Sequence, residues 1–170
     1  MRHAFAAIAV MSALFFCGIR NLPAQEATTP NKEEAMPAIQ KTYQFLKDAG
    51  HYFIATVDKD QPRVRPFGTV HIFEGKLYIQ TGRKKNVAKQ LLANGKVEIC
   101  AMKDNSWIRL SGVLVDDQRL EAKASMLEEY PALKRMYSAE DENTMVLYFQ
   151  PGTAEATISS FDKAPEVLKF

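Results

Sequence analysis

Between Arg63 and Lys89 the chain carries seven cations (Arg63, Arg65, Lys76, Arg83, Lys84, Lys85 and Lys89) against one acid, Glu74. The stretch Thr81-Gly82-Arg83-Lys84-Lys85-Asn86 leaves a strand-like run and enters a helix-like one. Backbone N–H groups, a hydroxyl and cationic side chains then converge at the positive end of a helix, a combination suited to phosphate. For Arg83-Lys84-Lys85 taken alone, a solvated basic loop is the competing reading. The strand Arg63-Val64-Arg65-Pro66-Phe67-Gly68 adds weight to the first reading. Arg63 and Arg65 alternate onto one strand face, where two long cations repel unless water or an anion lies between them. Pro66 removes a ladder donor and Gly68 admits close approach to the backbone, both odd choices for a plain central strand.

Other chemistries have little to work with. No Gly-x-x-x-x-Gly-Lys-Ser/Thr or Gly-x-Gly-x-x-Gly loop is present. After the leader only His51 and His71 remain, without Cys or acidic partners at metal-ligand spacing, so no metal site is expected. His71 alternates with apolar residues in Thr69-Val70-His71-Ile72-Phe73 and reads as a partly buried structural histidine. Cys100, in Val97-Glu98-Ile99-Cys100-Ala101-Met102, has no neighbouring His or cation and reads as a small strand residue. The acid pairs Asp116-Asp117 and Glu128-Glu129 fall on a charged helix and its cap, where solvated roles are expected.

These residues need a scaffold, and the 170-residue chain can build one: 46% of it is hydrophobic and 25% charged, the balance of one globular domain. Lys and Arg total 22 against 20 acids, but Arg2 and Arg20 lie in an apolar leader, and removing them leaves 20 of each. A neutral domain lacks the cationic field that non-specific nucleic-acid binding requires, so an anion must be held locally. The leader, residues 1–24, has Arg2 and His3, an apolar run from Ala4 to Ile19, and Pro23-Ala24. That is the layout of a secretory signal peptide cleaved after Ala24, with a run too short to span a bilayer. A periplasmic or secreted protein with no stable membrane span is expected; an uncleaved anchor is the alternative. Residues 25–35 read as a flexible spacer and 36–170 as the domain.

The domain opens with a helix from Met36 to Gly50. Strands are expected over Tyr52–Asp58, Arg63–Phe73 and Lys76–Thr81, as three consecutive antiparallel partners. A helix over Asn86–Ala93, with Asn86 as its N-cap, precedes strands Lys96–Met102 and Trp107–Val115. A helix over Asp117–Glu129 is broken by Pro131, Leu133–Tyr137 continues it briefly, and strands Met145–Gln150 and Ala154–Ser159 follow. This order lacks regular strand-helix alternation, which argues for a mainly β (α+β) small antiparallel barrel with helices packed outside.

The motifs together identify a family. Phe53-Ile54-Ala55-Thr56-Val57-Asp58, Pro62 to Gly68, Leu77-Tyr78-Ile79-Gln80-Thr81-Gly82 with Lys85-Asn86-Val87, Trp107-Ile108-Arg109-Leu110-Ser111-Gly112, and the ending Pro165-Glu166-Val167-Leu168-Lys169-Phe170 resemble the pyridoxamine 5'-phosphate oxidase-like group of FMN-binding split barrels. The resemblance covers Ile39 to Phe170. It implies a split antiparallel barrel, and a homodimer with FMN at the subunit interface. Position by position, it implies that Arg63, Val64, Arg65, Pro66, Phe67 and Gly68 lie along the flavin ring and ribityl chain. Gln80 and Thr81 would contact the cofactor, Lys84 and Lys85 would hold its phosphate, and Trp107 would line the ring or fill the core. The family's vitamin-converting members have a longer C-terminal segment with Arg, Pro and Trp contacts to substrate, so true pyridoxamine phosphate oxidation is not implied here.

Three functions remain open on this reading: an exported FMN-dependent oxidoreductase or flavin reductase, with a small-molecule or protein electron partner; a non-catalytic flavin electron carrier; and a binder of haem or another anionic ligand, with His71 as the axial candidate.

Overall fold

The computed structural model describes residues 32–170. The expected leader, and the spacer up to residue 31, lie outside the described residues. Helix α1 (Lys32–Ala49) begins four residues before the expected start. β1 (Tyr52–Asp58) and β2 (Gln61–Phe67) form a hairpin, and β3 (His71–Phe73) and β4 (Lys76–Gly82) form another. After α2 (Asn86–Ala93) comes a third hairpin, β5 (Lys96–Lys103) with β6 (Ser106–Asp117). Next come α3 (Leu120–Glu129), a short 3-10 helix (Pro131–Arg135), β7 (Thr144–Phe149), β8 (Glu155–Ser160) and β9 (Glu166–Lys169). Among the described residues no helix is long and apolar enough to cross a membrane.

Every pairing is antiparallel, in the order β2-β1-β5-β6-β7-β4-β3, with β8 and β9 continuing from β6. The split-barrel expectation is therefore met, and β6 explains how the barrel splits. Ser106–Ser111 of β6 pair with β8, whereas Leu114–Asp117 pair with β7. Gly112 sits between the two pairings. A Cβ there would lie 2.8 Å from Phe149 Cδ1 and 3.2 Å from the Ala154 Cα, so only glycine lets the strand pass.

The interior is filled by the chain's own side chains: Ile54, Ile79, Ile99, Ile108, Leu110 and Leu147 are all essentially inaccessible. β4 is buried on both faces. Leu77 and Ile79 enter the barrel, while Tyr78 turns outward against Ala122 and Met126 of α3. A ligand as large as a nucleotide must therefore lie outside the barrel wall.

Four expectations need correction. The single strand expected over Arg63–Phe73 breaks at Gly68-Thr69-Val70, so β2 pairs with β1 and β3 with β4, and no ladder joins β2 to β3. Side chains bridge the gap instead. The Thr69 hydroxyl bonds both the N–H (3.1 Å) and the carbonyl (3.4 Å) of Gln80, and the Tyr52 hydroxyl donates to the Thr69 carbonyl (2.7 Å). Second, Asp116 and Asp117 belong to β6 rather than to a helix and its cap. Asp117 is 7% exposed, and Arg119 (2.8 Å) and the Tyr78 hydroxyl (2.9 Å) hold it. Burial pushes its carboxyl up, but those bonds together keep it below the ordinary aspartate range. Third, α2 is preceded by Lys85 as N-cap with no side-chain cap bond, so Asn86 is its first residue rather than its cap. Fourth, β9 is an additional strand, whose Glu166–Lys169 pair with β8.

Candidate functional site

The break between β2 and β3 opens a cleft of about 660 Å³ on the outside of the barrel. Seven of the sequence-selected residues meet there: Arg65, Pro66, Phe67 and Gly68 from the end of β2, Gln80 and Thr81 from β4, and Lys85 at the start of α2. The β4 and α2 contributions come together because β4 runs straight into the helix whose Val87, Ala88 and Leu91 pack on the core. Gln80 and Thr81 are 6% and 3% exposed; the Gln80 amide donates to the Thr81 carbonyl at 3.1 Å.

The electrostatics of the cationic wall are uneven. Arg83 is neutralised by Asp116, whose two oxygens both lie 2.9 Å from its Nη2. Arg63 sits 3.4 Å from Asp58, and Lys76 lies over the Tyr148 ring at 4.1 Å. Arg65 differs. Its Nη1 donates to Thr56 Oγ1 (2.7 Å) and to the carbonyls of Ile54 (3.2 Å) and Arg63 (3.1 Å), and its Nη2 to Gln90 Oε1 (2.7 Å). All four acceptors are neutral. Burial, followed by repulsion from Arg63, holds its guanidinium below the ordinary arginine pKa. Among the described residues no carboxylate pairs with Arg65, Lys84 or Lys85.

The facing wall was not foreseen from sequence. It consists of Glu129 and Tyr130 at the end of α3, with Pro131, Leu133 and Met136 on and after the 3-10 helix. Tyr130 fastens this wall across the β2–β3 break. Its hydroxyl accepts from the Val70 N–H (3.0 Å) and donates to the Val70 carbonyl (2.9 Å). Lys47 of α1 supports it from behind, bonding Glu129 and the Tyr130 hydroxyl and lying 4.3 Å from the Tyr130 ring centre. Burial opposes the charge on Lys47, but the bonds to Glu129 and Tyr130 outweigh it and raise its pKa. In sequence Pro131 is a helix breaker; nothing in it shows that residues about sixty positions from Val70 close a cleft.

The remaining sequence-selected residues lie elsewhere. Arg63 and Val64 are exposed on β2 and do not line the cleft. Lys84 is exposed beside it, its backbone N–H bonded to Asn143 Oδ1 at 3.1 Å. Trp107 is on the outer face of the β5–β6–β8 sheet, 5.3 Å from the exposed ring of Phe161, with Glu98 and Arg109 nearby. His71 is turned to α3: Nε2 meets Ser125 Oγ at 2.7 Å and Nδ1 lies 3.9 Å from Glu129. Burial keeps its pKa below the ordinary histidine value. His51, which sequence reading left without a role, borders the cleft beside Gly68.

These residues fit a ligand that is anionic at one end and flat at the other. Arg65 and Lys85 offer unneutralised charge at the first turn of α2. At Gly68 a Cβ would make only ordinary contacts, 3.5 Å to the Gly50 carbonyl and 3.6 Å to His51, so packing does not demand glycine there. Pro66, Phe67, Leu133 and Met136 give apolar flanks.

Comparisons with known proteins agree with the split-barrel fold. Residues 39–158 match the model of the pyridoxamine 5'-phosphate oxidase family. A NimC/NimA family protein from Clostridium acetobutylicum is 43% identical, with 81% of this chain and 95% of that one covered and a TM-score of 0.78. General stress protein 26 from Bacillus anthracis is 22% identical over 82% of this chain and 98% of its own, with a TM-score of 0.56. A haem-binding protein from Mycobacterium smegmatis is 13% identical over 84% of this chain and 59% of its own, with a TM-score of 0.57. At such identities the last two share the fold alone. No curated protein matches the chain.

Proposed function

Because the chain belongs to the pyridoxamine 5'-phosphate oxidase family, we propose that it is an FMN-binding oxidoreductase whose cofactor lies in the cleft between β2, β4 and the 3-10 helix. The observation that carries this reading is the Arg65 guanidinium, held at the cleft by neutral oxygens only, with Lys85 and the start of α2 beside it. A phosphate ester of two negative charges needs that arrangement in a domain with no net cationic field.

Arg65, Lys85 and the first N–H groups of α2 would hold the phosphate. The backbone of Pro66 to Gly68 and the apolar side chains of Leu133 and Met136 would flank the ring and exclude water from it. When bound, the flavin supplies reversible electron transfer, and the protein's part is binding, orientation and the electronics of the site. His51, Glu129 and Tyr130 are further polar groups of the cleft that a substrate would meet.

The second part of the reading is a homodimer. The outer sheet face next to β2 exposes Phe53, Val64, Met102 and Phe161, an apolar surface that a two-fold partner would cover, shielding the open cleft at the same time. Export after cleavage at Ala24 completes it, and a mature N-terminus at Gln25 is the form expected outside the cytoplasm.

The absorption spectrum of the purified protein, taken with sedimentation of the flavin-loaded form, tests the reading. A flavin spectrum on a dimer is expected. A Soret band in place of a flavin spectrum, or a monomer that retains FMN tightly, would overturn the corresponding part.

A further inference from the structure

Arg65 lines the cleft and Arg83 follows β4 just outside it, and the two are anchored by opposite means. Arg83 is gripped by both oxygens of a carboxylate, which cancels its charge. Arg65 is gripped by an amide oxygen, a hydroxyl and backbone carbonyls, which fix its direction and leave its charge in place. Gln90 is the centre of this second anchor. From the second turn of α2 its Oε1 accepts from Arg65 Nη2 and from the Thr56 hydroxyl, each at 2.7 Å, while that hydroxyl accepts from Arg65 Nη1. The three side chains form a closed triangle linking β1, β2 and α2, with Thr56 only 2% exposed. Arg65 Nε and the second proton of Nη2 make no bond to any described residue, which leaves two donors at the cleft.

We propose that Gln90 is a positioning residue that sets ligand specificity: it holds the Arg65 guanidinium in place without neutralising it, so that the cleft selects a ligand ending in a phosphate monoester over the same ligand lacking it. The inference rests on the flavin reading above and deepens it. A glutamate at position 90 would keep the length and the acceptor but convert the anchor into an ion pair like that of Arg83. The anion would then meet a cancelled charge.

FMN and riboflavin differ only by that phosphate, so titrating both into the full chain by flavin fluorescence quenching isolates it. Gln90→Glu should weaken FMN by roughly ten- to a hundredfold, the worth of a charge-assisted hydrogen bond. Riboflavin should change less than about twofold, and the thermal midpoint should not fall, because the added carboxylate gains a cation. Gln90→Leu adds no charge and provides a second reading should Gln90→Glu not fold. It frees the guanidinium and should reduce the FMN preference by a smaller factor, with riboflavin again unaffected. An unchanged FMN-to-riboflavin ratio in both variants, or equal weakening of the two flavins, would overturn the inference while leaving the flavin reading intact. Wild-type protein that takes up neither flavin would overturn the flavin reading itself, and the inference with it.

Discussion

Gly112→Ala tests the account of how β6 serves two sheets. The added methyl would lie 2.8 Å from Phe149 Cδ1, about an ångström inside ordinary carbon contact, and Phe149 is only 2% exposed. Overpacking of this kind costs about 1–3 kcal/mol. In a domain of this size each kcal/mol lowers the melting midpoint by about 2–4 °C. The clash is mainly with a ring, so trimming the ring should relieve it. Phe149→Leu alone should cost less than the ~3–5 kcal/mol of a Phe→Ala truncation, and in the double variant the two losses should fall short of their sum by about 1 kcal/mol or more. Gly95→Ala is the control: there a Cβ would lie 2.5 Å from the Leu114 carbonyl oxygen, a backbone atom that no side-chain change can move. Urea unfolding of the four proteins of the cycle gives the coupling directly. Additivity within about 0.5 kcal/mol would refute the claim that Gly112 is kept small by the Phe149 ring.

Two further outcomes concern the site and its support. Lys85→Ala should weaken FMN by about tenfold at low salt and less at high salt, whereas Lys84→Ala should have little effect, since only Lys85 lines the cleft; the reverse order in a fluorescence titration would put the phosphate outside it. His71, facing Ser125, Glu129 and, through Glu129, Lys47, has a pKa lowered by burial. The unfolded chain therefore binds more protons below the ordinary value of 6.5, so stability is complete above that pH and declines as pH falls toward the lowered value. Glu129, itself held below the ordinary glutamate value by its hydrogen bond to Lys47, stays ionised through this window and adds no slope. His71→Gln should flatten the decline in urea midpoints between pH 7.5 and 5.5, about a unit either side of that value; an unaltered slope would mean that His71 takes up its proton at the same pH in the folded and the unfolded chain.

The sequence was informative where local chemistry and local structure coincide. Thr81 to Asn86 reads as a strand entering a helix beside cations, and the chain folds that way because β4 and α2 are contiguous. It was silent where side chains replace a ladder. Arg63 to Phe73 alternates like one strand, and the hydroxyls of Tyr52, Thr69 and Tyr130, bonding to backbone of Thr69, Gln80 and Val70, replace the ladder at the break after Gly68. Burial was likewise unreadable for Asp117. Two adjacent aspartates ahead of a helix suggest a solvated cap, but the partners that permit its burial, Tyr78 and Arg119, lie on β4 and just beyond β6. The basic cluster was legible as a count and not as a field, because the pairing of Arg83 with Asp116 spans 33 residues and removes one of the charges the sequence displays.

The Tyr130 hydroxyl does for Val70 what a neighbouring strand would otherwise do, taking its N–H and supplying its carbonyl at the same time. The residue directly after Tyr130 begins the 3-10 helix, so the same atom ties the outer wall of the cleft to the free edge of β3. Swinging that wall outward strips two backbone partners from the edge in one motion, and closing it restores both. Any opening of the cleft at this wall would therefore fray the sheet edge as well, and exchange of the Val70 amide proton would report it.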